Sequence, residues 1–474
     1  MDRLLEAVEL ADTRGDPSRA EVTSVEIDSR SVRPGALFCC VPGRHVDGHD
    51  FAASAVEAGA VGLLVEHPLP VDVPQGVAAP GTVRRATARL ACRVEGDPSR
   101  AVPTVGVTGT NGKTTVTHLL AAVLEAHGWP CAVIGTLGGP RTTPEAPELQ
   151  RLLAAARDGG KRAVAMEVSS HALREERVEG TWFAAAVFTN LTQDHLDYHG
   201  TMDAYFEAKA SLFSPDRAAV GVVDADDPYG ARLLERAPIP MVPFGAADAT
   251  DVAGDAGGTT FTWRGRRVRV ALPGRYHVLN ALAAATTAAV LGVPDGDIAA
   301  GLEGVTVVPG RFEVVALGAP FTAGVDYAHT PDGLRAALAS ARTLAGRSGG
   351  RVLVVFGAGG ERDTGKRPTM GAVAAAGADE VVLTSDNPRS EDPLAIIEQV
   401  RSGVATGAAV TVEPDRRLAI ALAVARARPG DVVLVAGKGH EQWIDIGGRR
   451  VPFEDRTELA RAWGQTAGGE GARR

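Results

Sequence analysis

Apolar residues along this chain fall either in short continuous blocks or at every third or fourth position, and the two patterns alternate. That alternation predicts buried strands joined by amphipathic helices, as in a parallel α/β architecture. The clearest unit is VPTVGVTGTNGKTT at 102–115. Val102, Val105 and Val107 read as a buried strand, a Thr/Gly/Asn loop follows, and a helix opens at Lys113 with Val116, Leu119, Leu120, Val123 and Leu124 on one stripe. Upstream, ALFCCVPG at 36–43 and AVGLLVE at 60–66 read as strands around a helix at 51–58. Residues 103–305 continue the alternation, except that 254–272 carries TTFTW, a turn at 264–266 and RVRVAL with period two, which predicts a hairpin. Past 311 the pattern restarts: RVLVVFGAGG, DEVVLTSDNPR and DVVLVAGKGH are each an apolar strand ending in a polar, Gly-rich loop.

Two breaks divide the chain: the polar, Pro-containing EGDPSRAVP at 95–103, read as a linker, and VPGR at 308–311. They predict domains over 1–100, 101–308 and 309–474, and 474 residues give each its own core. The expected fold is α/β, with a small N-terminal α/β domain, a central P-loop domain on a parallel sheet, and a C-terminal Rossmann-like domain. Composition then removes alternatives. A net charge of −9 supplies no broad basic face, so no nucleic-acid partner is expected. Cys39, Cys40, Cys92 and Cys131 lack zinc or C-x-x-C spacing and read as buried thiols of a reducing compartment. The acidic start MDRLLEAVELADTRGDPS has no signal-peptide core, and no apolar run is long enough to span a membrane. A cytoplasmic enzyme is expected.

The chemistry centres on the loop before Lys113. A Gly-rich turn between a strand and a helix N-terminus aims backbone N–H groups at an anion; Lys113 adds a point charge for β/γ-phosphates, and Thr114 a hydroxyl for Mg²⁺. Val107 stands where the general Walker pattern has its first Gly, yet the strand–loop–helix setting predicts a nucleoside triphosphate site. In open parallel sheets, ligands bind at the carboxyl ends of strands. Polar clusters fall at such ends: 111–114, 167–171 and 190–199 in the central domain, 357–362, 386–389 and 437–441 in the C-terminal one. A cleft between these two domains is therefore the expected site. Glu167, after the strand AVAM, is placed to hold Mg²⁺ between the phosphates. VFTNLTQDHLDYHG at 187–200 adds Asn190, Asp194, His195, Asp197 and His199. His195 reads toward Mg²⁺ and phosphate; a zinc pair His195-x-x-x-His199 stays open, but needs a helix through a segment ending His-Gly. Lys209 lies on an apparent helix in YFEAKASLF, where most lysines are solvated. Asn280 begins or precedes an Ala-rich helix and reads as an N-cap candidate.

Taken together, the motifs resemble those of the Mur ligases, and among these the type (MurE) that adds the third residue to a nucleotide-linked muramoyl dipeptide. The resemblance spans essentially the whole chain. It rests on DSRSVRPGALF (28–38), TGTNGKTT (108–115), TTPEAPELQ (142–150), MEVSSHAL (166–173), FTNLTQDHLDYHGTMDAYFEAKASLF (188–213), VDYAHTPDGL (325–334), SDNPRSEDP (385–393) and AGKGHE (436–441), in the family's order. It implies an ATP-dependent, ADP-forming acid–amino-acid ligase of peptidoglycan precursor synthesis. A carboxylate attacks the γ-phosphate, and an amine then displaces phosphate from the acyl phosphate. Lys113, Glu167, His195 and Lys209 would be catalytic. Two Mg²⁺ ions would be held by Thr114, Glu167, His195 and Lys209, the last as a CO₂-derived carbamate.

The resemblance also distributes the substrates, all of them small molecules, over a chain expected to act as a monomer. ATP would be met by Thr108, Gly109, Thr110, Asn111, Gly112, Lys113, Thr114 and Thr115, with Asn280, Arg311, Tyr327 and His329 at the adenosine end. The UDP-muramoyl peptide would lie on Ile27, Ser29, Arg44, His45 and Val46 and on Thr142, Thr143, Ser169 and Arg177. The amino acid would be meso-diaminopimelate, held by Arg362, Asp386, Asn387, Pro388, Arg389, Gly437 and Glu441. Diaminopimelate differs from lysine by a carboxylate at the side-chain end. A guanidinium such as Arg389 grips that carboxylate and repels lysine's bare ammonium, while Glu441 accepts from the distal ammonium.

Three departures from the family pattern keep other readings open. Only TLGGPR separates Gly135 from Thr142 where relatives carry a longer excursion, His277 stands where Asn is usual, and Glu175 replaces a common Gln or aliphatic residue. One alternative joins another amino acid, such as L-lysine, or uses another carboxylate acceptor in specialised metabolism. A second, an ATP-binding partner subunit without ligase activity, has no need of the intact Lys113, Glu167, His195 and Lys209. A dinucleotide-dependent oxidoreductase is disfavoured, because GAGGER at 357–362 ends in Arg where helix–strand packing needs a small residue.

Overall fold

The computed structural model describes residues 1–43 and 46–471. Its first sheet comprises β1 (Asp12–Arg14), β2 (Ser24–Glu26), β3 (Ala36–Cys39), β4 (Ala60–Val65) and β5 (Gln75–Val77), in the order β1-β5-β4-β3-β2. β1 is an antiparallel edge and the rest are parallel. Strand residues such as Leu37, Phe38, Leu63 and Leu64 point to both faces and are fully enclosed, which is why these strands read as apolar blocks.

The second sheet is wholly parallel, with β6 (Thr104–Thr108), β7 (Cys131–Ile134), β8 (Ala163–Glu167), β9 (Ala185–Phe188), β10 (Gly221–Asp224) and β11 (Met241–Phe244) in the order β11-β10-β9-β6-β8-β7. The chain leaves β6 outward to one edge and returns to build the other, so the loop after β6 lies at a topological switch point. The helices Lys113–Ala126 and Arg275–Val290 cover one face; Ala146–Asp158 and Met202–Ala210 lie on the other. Beside this layer, β12 (Ala249–Asp255), β13 (Gly258–Trp263) and β14 (Arg266–Val270) form an antiparallel sheet.

A fourth sheet contains β15 (Glu313–Val315), β16 (Thr322–Asp326), β17 (Val352–Phe356), β18 (Glu380–Leu383), β19 (Val410–Val412) and β20 (Val432–Ala436), in the order β15-β16-β20-β17-β18-β19. β15 alone is antiparallel. β21 (Trp443–Ile446) and β22 (Arg449–Pro452) make a hairpin beyond it. Each of the three major sheets has its own buried core, and the protein is a three-domain α/β chain.

The structure differs from the sequence reading in four places. The segment 95–103 is no extended linker: Pro98–Ala101 forms a helical turn, Ser99 is buried, and its hydroxyl accepts from the Trp182 N–H at 3.0 Å. The hairpin gains a third strand, β12, whose ATDVAGD is only partly buried and lacks apolar alternation. Its two-residue turn places Arg264 at φ 46° and Gly265 at φ 74°, the primed geometry that right-twisted strands favour. The helix expected at 51–58 begins as a 3₁₀ turn, Gly48–Phe51, before Ala52–Glu57. Asn280 is not a cap; the helix starts five residues earlier and buries it. The four cysteines are free and buried, and burial pushes the Cys39, Cys92 and Cys131 thiols up to about 12. Among the described residues no helix is long and apolar enough to cross a membrane.

Candidate active site

The carboxyl ends of the second and fourth sheets face each other across a cavity of about 460 Å³. The loop after β6 forms its floor. Val107 is fully buried within β6, so the phosphate loop starts at Gly109, which accounts for the missing first Gly of the Walker pattern. Gly109 sits at φ 148° and Gly112 at φ 92°. A Cβ on Gly109 would run into the Thr189 hydroxyl, and one on Gly112 would approach Asn280 Oδ1 to 2.5 Å. Both positions therefore require glycine. The strand-end segment after β9 braces the loop: Asn190 Oδ1 accepts from the Asn111 N–H at 2.9 Å, and Thr189 Oγ1 donates to the Asn111 carbonyl at 2.6 Å. Lys113 folds back on this loop, its Nζ donating to the carbonyls of Gly109 (2.8 Å) and Thr110 (2.9 Å).

Glu167 ends β8 and is almost fully enclosed. Its Oε1 accepts from Thr114 Oγ1 at 3.0 Å and from the Thr136 N–H at 2.8 Å, and its Oε2 from Thr136 Oγ1 at 3.2 Å. Behind it Thr143 Oγ1 donates to the Glu167 carbonyl at 2.9 Å and accepts from the Ser169 N–H at 3.0 Å. Thr142 lies 3.1 Å from the Thr136 hydroxyl. Across the cleft, Arg311 Nη2 donates to Thr114 Oγ1 at 2.8 Å, with the guanidinium over the Tyr327 ring. Asp326, buried, holds that corner by accepting from the N–H groups of Phe312 (2.6 Å) and Ala328 (2.7 Å).

His195 adopts φ 54° just before the short helix Leu196–His199, with Nε2 3.4 Å from Asp194 Oδ2. His199 turns instead to the Ser170 hydroxyl (3.0 Å) and stacks on Tyr205, so the zinc pair is not assembled. Burial drops His195 to about 2, leaving a neutral imidazole with a lone pair to offer. Asp194 is also buried, which opposes its charge. A hydrogen bond from His329 and the Lys366 ammonium at 2.9 Å nevertheless hold it well below the usual carboxylate range. Arg311 and His329, placed by sequence at the adenosine end, thus reach across to the phosphate loop and its Asp194 neighbour.

Lys209 is not a solvated helix lysine. It is 1% exposed, and its Nζ donates to the Gly109 carbonyl at 2.8 Å, the same oxygen that Lys113 uses. Burial, and then the Lys113 charge, pull Lys209 well below the ordinary lysine value.

The loops after β17, β18 and β20 form the opposite wall. Asp386, Asn387 and Pro388 are buried, Gly437 turns at φ 110°, and Arg362 sits exposed at the rim. Arg389 has φ 53° and is clamped along its backbone: its N–H donates to the Asp445 carbonyl at 3.0 Å, and its carbonyl accepts from Gly447 at 2.7 Å. Its guanidinium meets the Gly360 carbonyl. A non-glycine residue held in this left-handed conformation marks a position the surroundings over-determine.

The remaining expected residues lie away from this cavity. Ile27 and Arg177 share a small hollow between the first and central domains. Arg177 there pairs with Glu175 (2.5 Å) and Glu145 (3.0 Å) and donates to the Thr143 carbonyl at 3.1 Å. Ser29 opens a 3₁₀ turn capped by Asp28, and Val46 is exposed. Arg44 and His45 lie outside the described residues. Sequence reasoning missed Thr136, Asp326, Lys366 and Asp224. None of these four carries a spacing signal; only the fold brings them to the cavity.

Asp224 at the end of β10 lines the cavity, and burial, reinforced by Asp226 and Asp227, pushes its carboxyl up to about 6. Folding therefore takes up a proton between the unfolded value of 3.8 and about 6, and stability falls as pH rises across that window. Asp224→Asn should raise the melting temperature by an increment that grows from about pH 4 to about pH 6 and then stays level. Thermal melts in that range check it; an increment independent of pH contradicts it.

Residues 21–94 match the Mur ligase family, catalytic domain, residues 107–288 the Mur ligase middle domain, and residues 310–439 the Mur ligase, glutamate ligase domain. The chain is 45% identical over 468 residues to the UDP-N-acetylmuramoyl-L-alanyl-D-glutamate--2,6-diaminopimelate ligase of Geobacillus thermodenitrificans, covering 93% of this chain and 94% of that protein. Its fold is similar to a solved structure of a ligase of the same name, with TM-score 0.66 and 32% identity over 98% of this chain and 99% of that one. It is also similar to MurF ligase from Thermotoga maritima in complex with ADP, with TM-score 0.67 and 19% identity over 95% and 99% of the two chains.

Proposed function

The chain belongs to the Mur ligase family, and from that premise we propose that it joins meso-diaminopimelate to UDP-N-acetylmuramoyl-L-Ala-D-Glu with conversion of ATP to ADP and phosphate, in peptidoglycan precursor synthesis. The observation that carries this reading is the single cavity where the phosphate loop, Glu167 and His195 of the central domain face Arg389 and Glu441 of the C-terminal domain. A triphosphate on one wall and a doubly charged amino acid on the other leave the acceptor carboxylate between them. Domain limits at 1–100, 101–308 and 309–474, action as a monomer, and a cytoplasmic location with reduced cysteines belong to the same proposal.

The acceptor carboxylate attacks the γ-phosphorus in line, the bond to the bridging oxygen breaks, and ADP leaves. The amino nitrogen then attacks the acyl carbon; phosphate departs and an amide forms. Two anionic reactants, the acceptor carboxylate and the triphosphate, must meet in the first step. Lys113, the N-terminus of the helix Lys113–Ala126 and Arg311 concentrate positive potential there. The Thr114 hydroxyl and Glu167 carboxylate are hard oxygen donors suited to Mg²⁺, and neutral His195 and a carbamate on Lys209 would complete the holding of a second ion. When bound, the ions neutralise charge on the phosphoryl oxygens.

The Lys209 environment favours such a carbamate. Two buried ammonium groups donating to one carbonyl oxygen repel each other, and burial favours the neutral amine that can attack CO₂. The ammonium gives up one proton to become the amine and a second as the N–C bond to CO₂ forms, so a cation becomes an anion and the conflict with Lys113 is removed.

The test is phosphate release from ATP with the UDP-muramoyl dipeptide and, in turn, meso-diaminopimelate, L-lysine or no amino acid. Release should require the acceptor and be driven by meso-diaminopimelate. Turnover with lysine alone contradicts the assigned amino acid, and no turnover with either contradicts the ligase reading.

A further inference from the structure

Lys438 has no role in the reading above, yet its side chain is completely enclosed. It follows β20 between Gly437 and Gly439, both at positive φ. Its Nζ donates to Asn387 Oδ1 at 3.0 Å and to Glu441 Oε2 at 2.8 Å. Asn387 Oδ1 also accepts from the Asp445 N–H at 2.9 Å, so two donors fix which end of the amide faces them. Asn387 Nδ2 must then point the other way, and it donates to Glu441 Oε2 at 2.8 Å. These side-chain hydrogen bonds to the Glu441 carboxylate both fall on Oε2, while Glu441 and Asn387 line the cavity beside Arg389.

A buried ammonium without a ligand role is costly unless it organises its partners. We propose that Lys438 is a positioning residue for amino-acid selection: by pinning Asn387 and one oxygen of Glu441 it presents the other carboxylate oxygen to the distal ammonium of a diamino diacid. Resting on the function proposed above, this adds a determinant to it. The charges agree with a zwitterionic distal centre. Arg389 supplies a cation for its carboxylate and Glu441 an anion for its ammonium, and Lys438 offsets the desolvation of that anion from behind. Lysine lacks the carboxylate, and a mono-amino diacid lacks the ammonium. Arg389 discriminates against the first, and the Lys438–Glu441–Asn387 triad against the second.

The discriminating experiment uses the full-length enzyme with saturating ATP and acceptor, comparing meso-diaminopimelate with 2-aminopimelate, which keeps the distal carboxylate but has no distal amino group. The native enzyme should prefer the diamino acid by about 100-fold or more in kcat/KM. In Lys438→Met that preference should fall to within about 5-fold, through a higher KM for the diamino acid, with kcat and the KM for ATP little changed. Lys438→Gln, which keeps a donor without the charge, carries the same test should the Met variant not fold. A variant that keeps the native preference overturns the assignment, as does equal damage to both amino acids and to ATP, which is the outcome of a merely structural lysine. A native enzyme that joins neither compound overturns the functional reading itself, and is told apart by failing before any variant is made.

Discussion

Lys209→Ala is expected to lose turnover by about 10³-fold or more and to regain a measurable part of it when formate or acetate is supplied. The wild-type amine sits 2.8 Å from the Gly109 carbonyl, under the phosphate loop and beside the Lys113 ammonium. A bare cation there adds nothing to a site that Lys113 already serves, whereas the proposed carbamate would supply an oxygen ligand to a metal ion. Truncation to alanine would remove that ligand and leave a hollow beside the Tyr205 ring, over which the ammonium now sits, for a small carboxylate to occupy. Lys209→Met separates charge from shape, because it fills the hollow and should resist rescue. Steady-state phosphate release with and without the added acids checks this. Full activity in the alanine variant, or loss with no rescue in a variant that keeps the native spectrum, contradicts the carbamate reading.

Arg389→Ala should lower kcat/KM for meso-diaminopimelate by about 10³-fold, since a guanidinium–carboxylate pair in a largely buried site contributes several kcal/mol. Turnover with L-lysine should not fall in parallel, so the preference between the two collapses. The backbone clamp between Asp445 and Gly447 holds position 389 whatever its side chain, and alanine tolerates φ 53° little worse than arginine. The loss is therefore expected in KM for the amino acid, without loss of ATP binding. Competition kinetics with the two amino acids measures it; an unchanged ratio removes Arg389 from selection.

Much of this molecule is legible in its sequence because buried parallel strands announce themselves. β6, β8, β17, β18 and β20 are enclosed on both faces, so each appears as an apolar block with chemistry at its carboxyl end. Lys113, Thr114 and Glu167 were readable for that reason. Strand β12 was not, because only Ala249 in it is buried and its residues carry no period. Residues whose roles arise from long-range packing were equally silent. Nothing local distinguishes Lys209, Lys366 or Lys438 from surface lysines; each is buried only because another part of the chain lies over it. The same holds for Arg311, which reaches the Thr114 hydroxyl across the domain cleft. Sequence spacing locates groups on one element; it does not measure the approach of two.

The central claim is that the phosphate loop exists here to activate a carboxylate. Its most direct test is acceptor dipeptide labelled with oxygen-18 in the reacting carboxyl group, turned over with ATP and meso-diaminopimelate, followed by mass spectrometry of the nucleotide and phosphate. One labelled oxygen should appear in each inorganic phosphate released, because the carboxylate oxygen that attacked the γ-phosphorus leaves with it. Label in AMP, or phosphate free of label while the amide forms, contradicts the account.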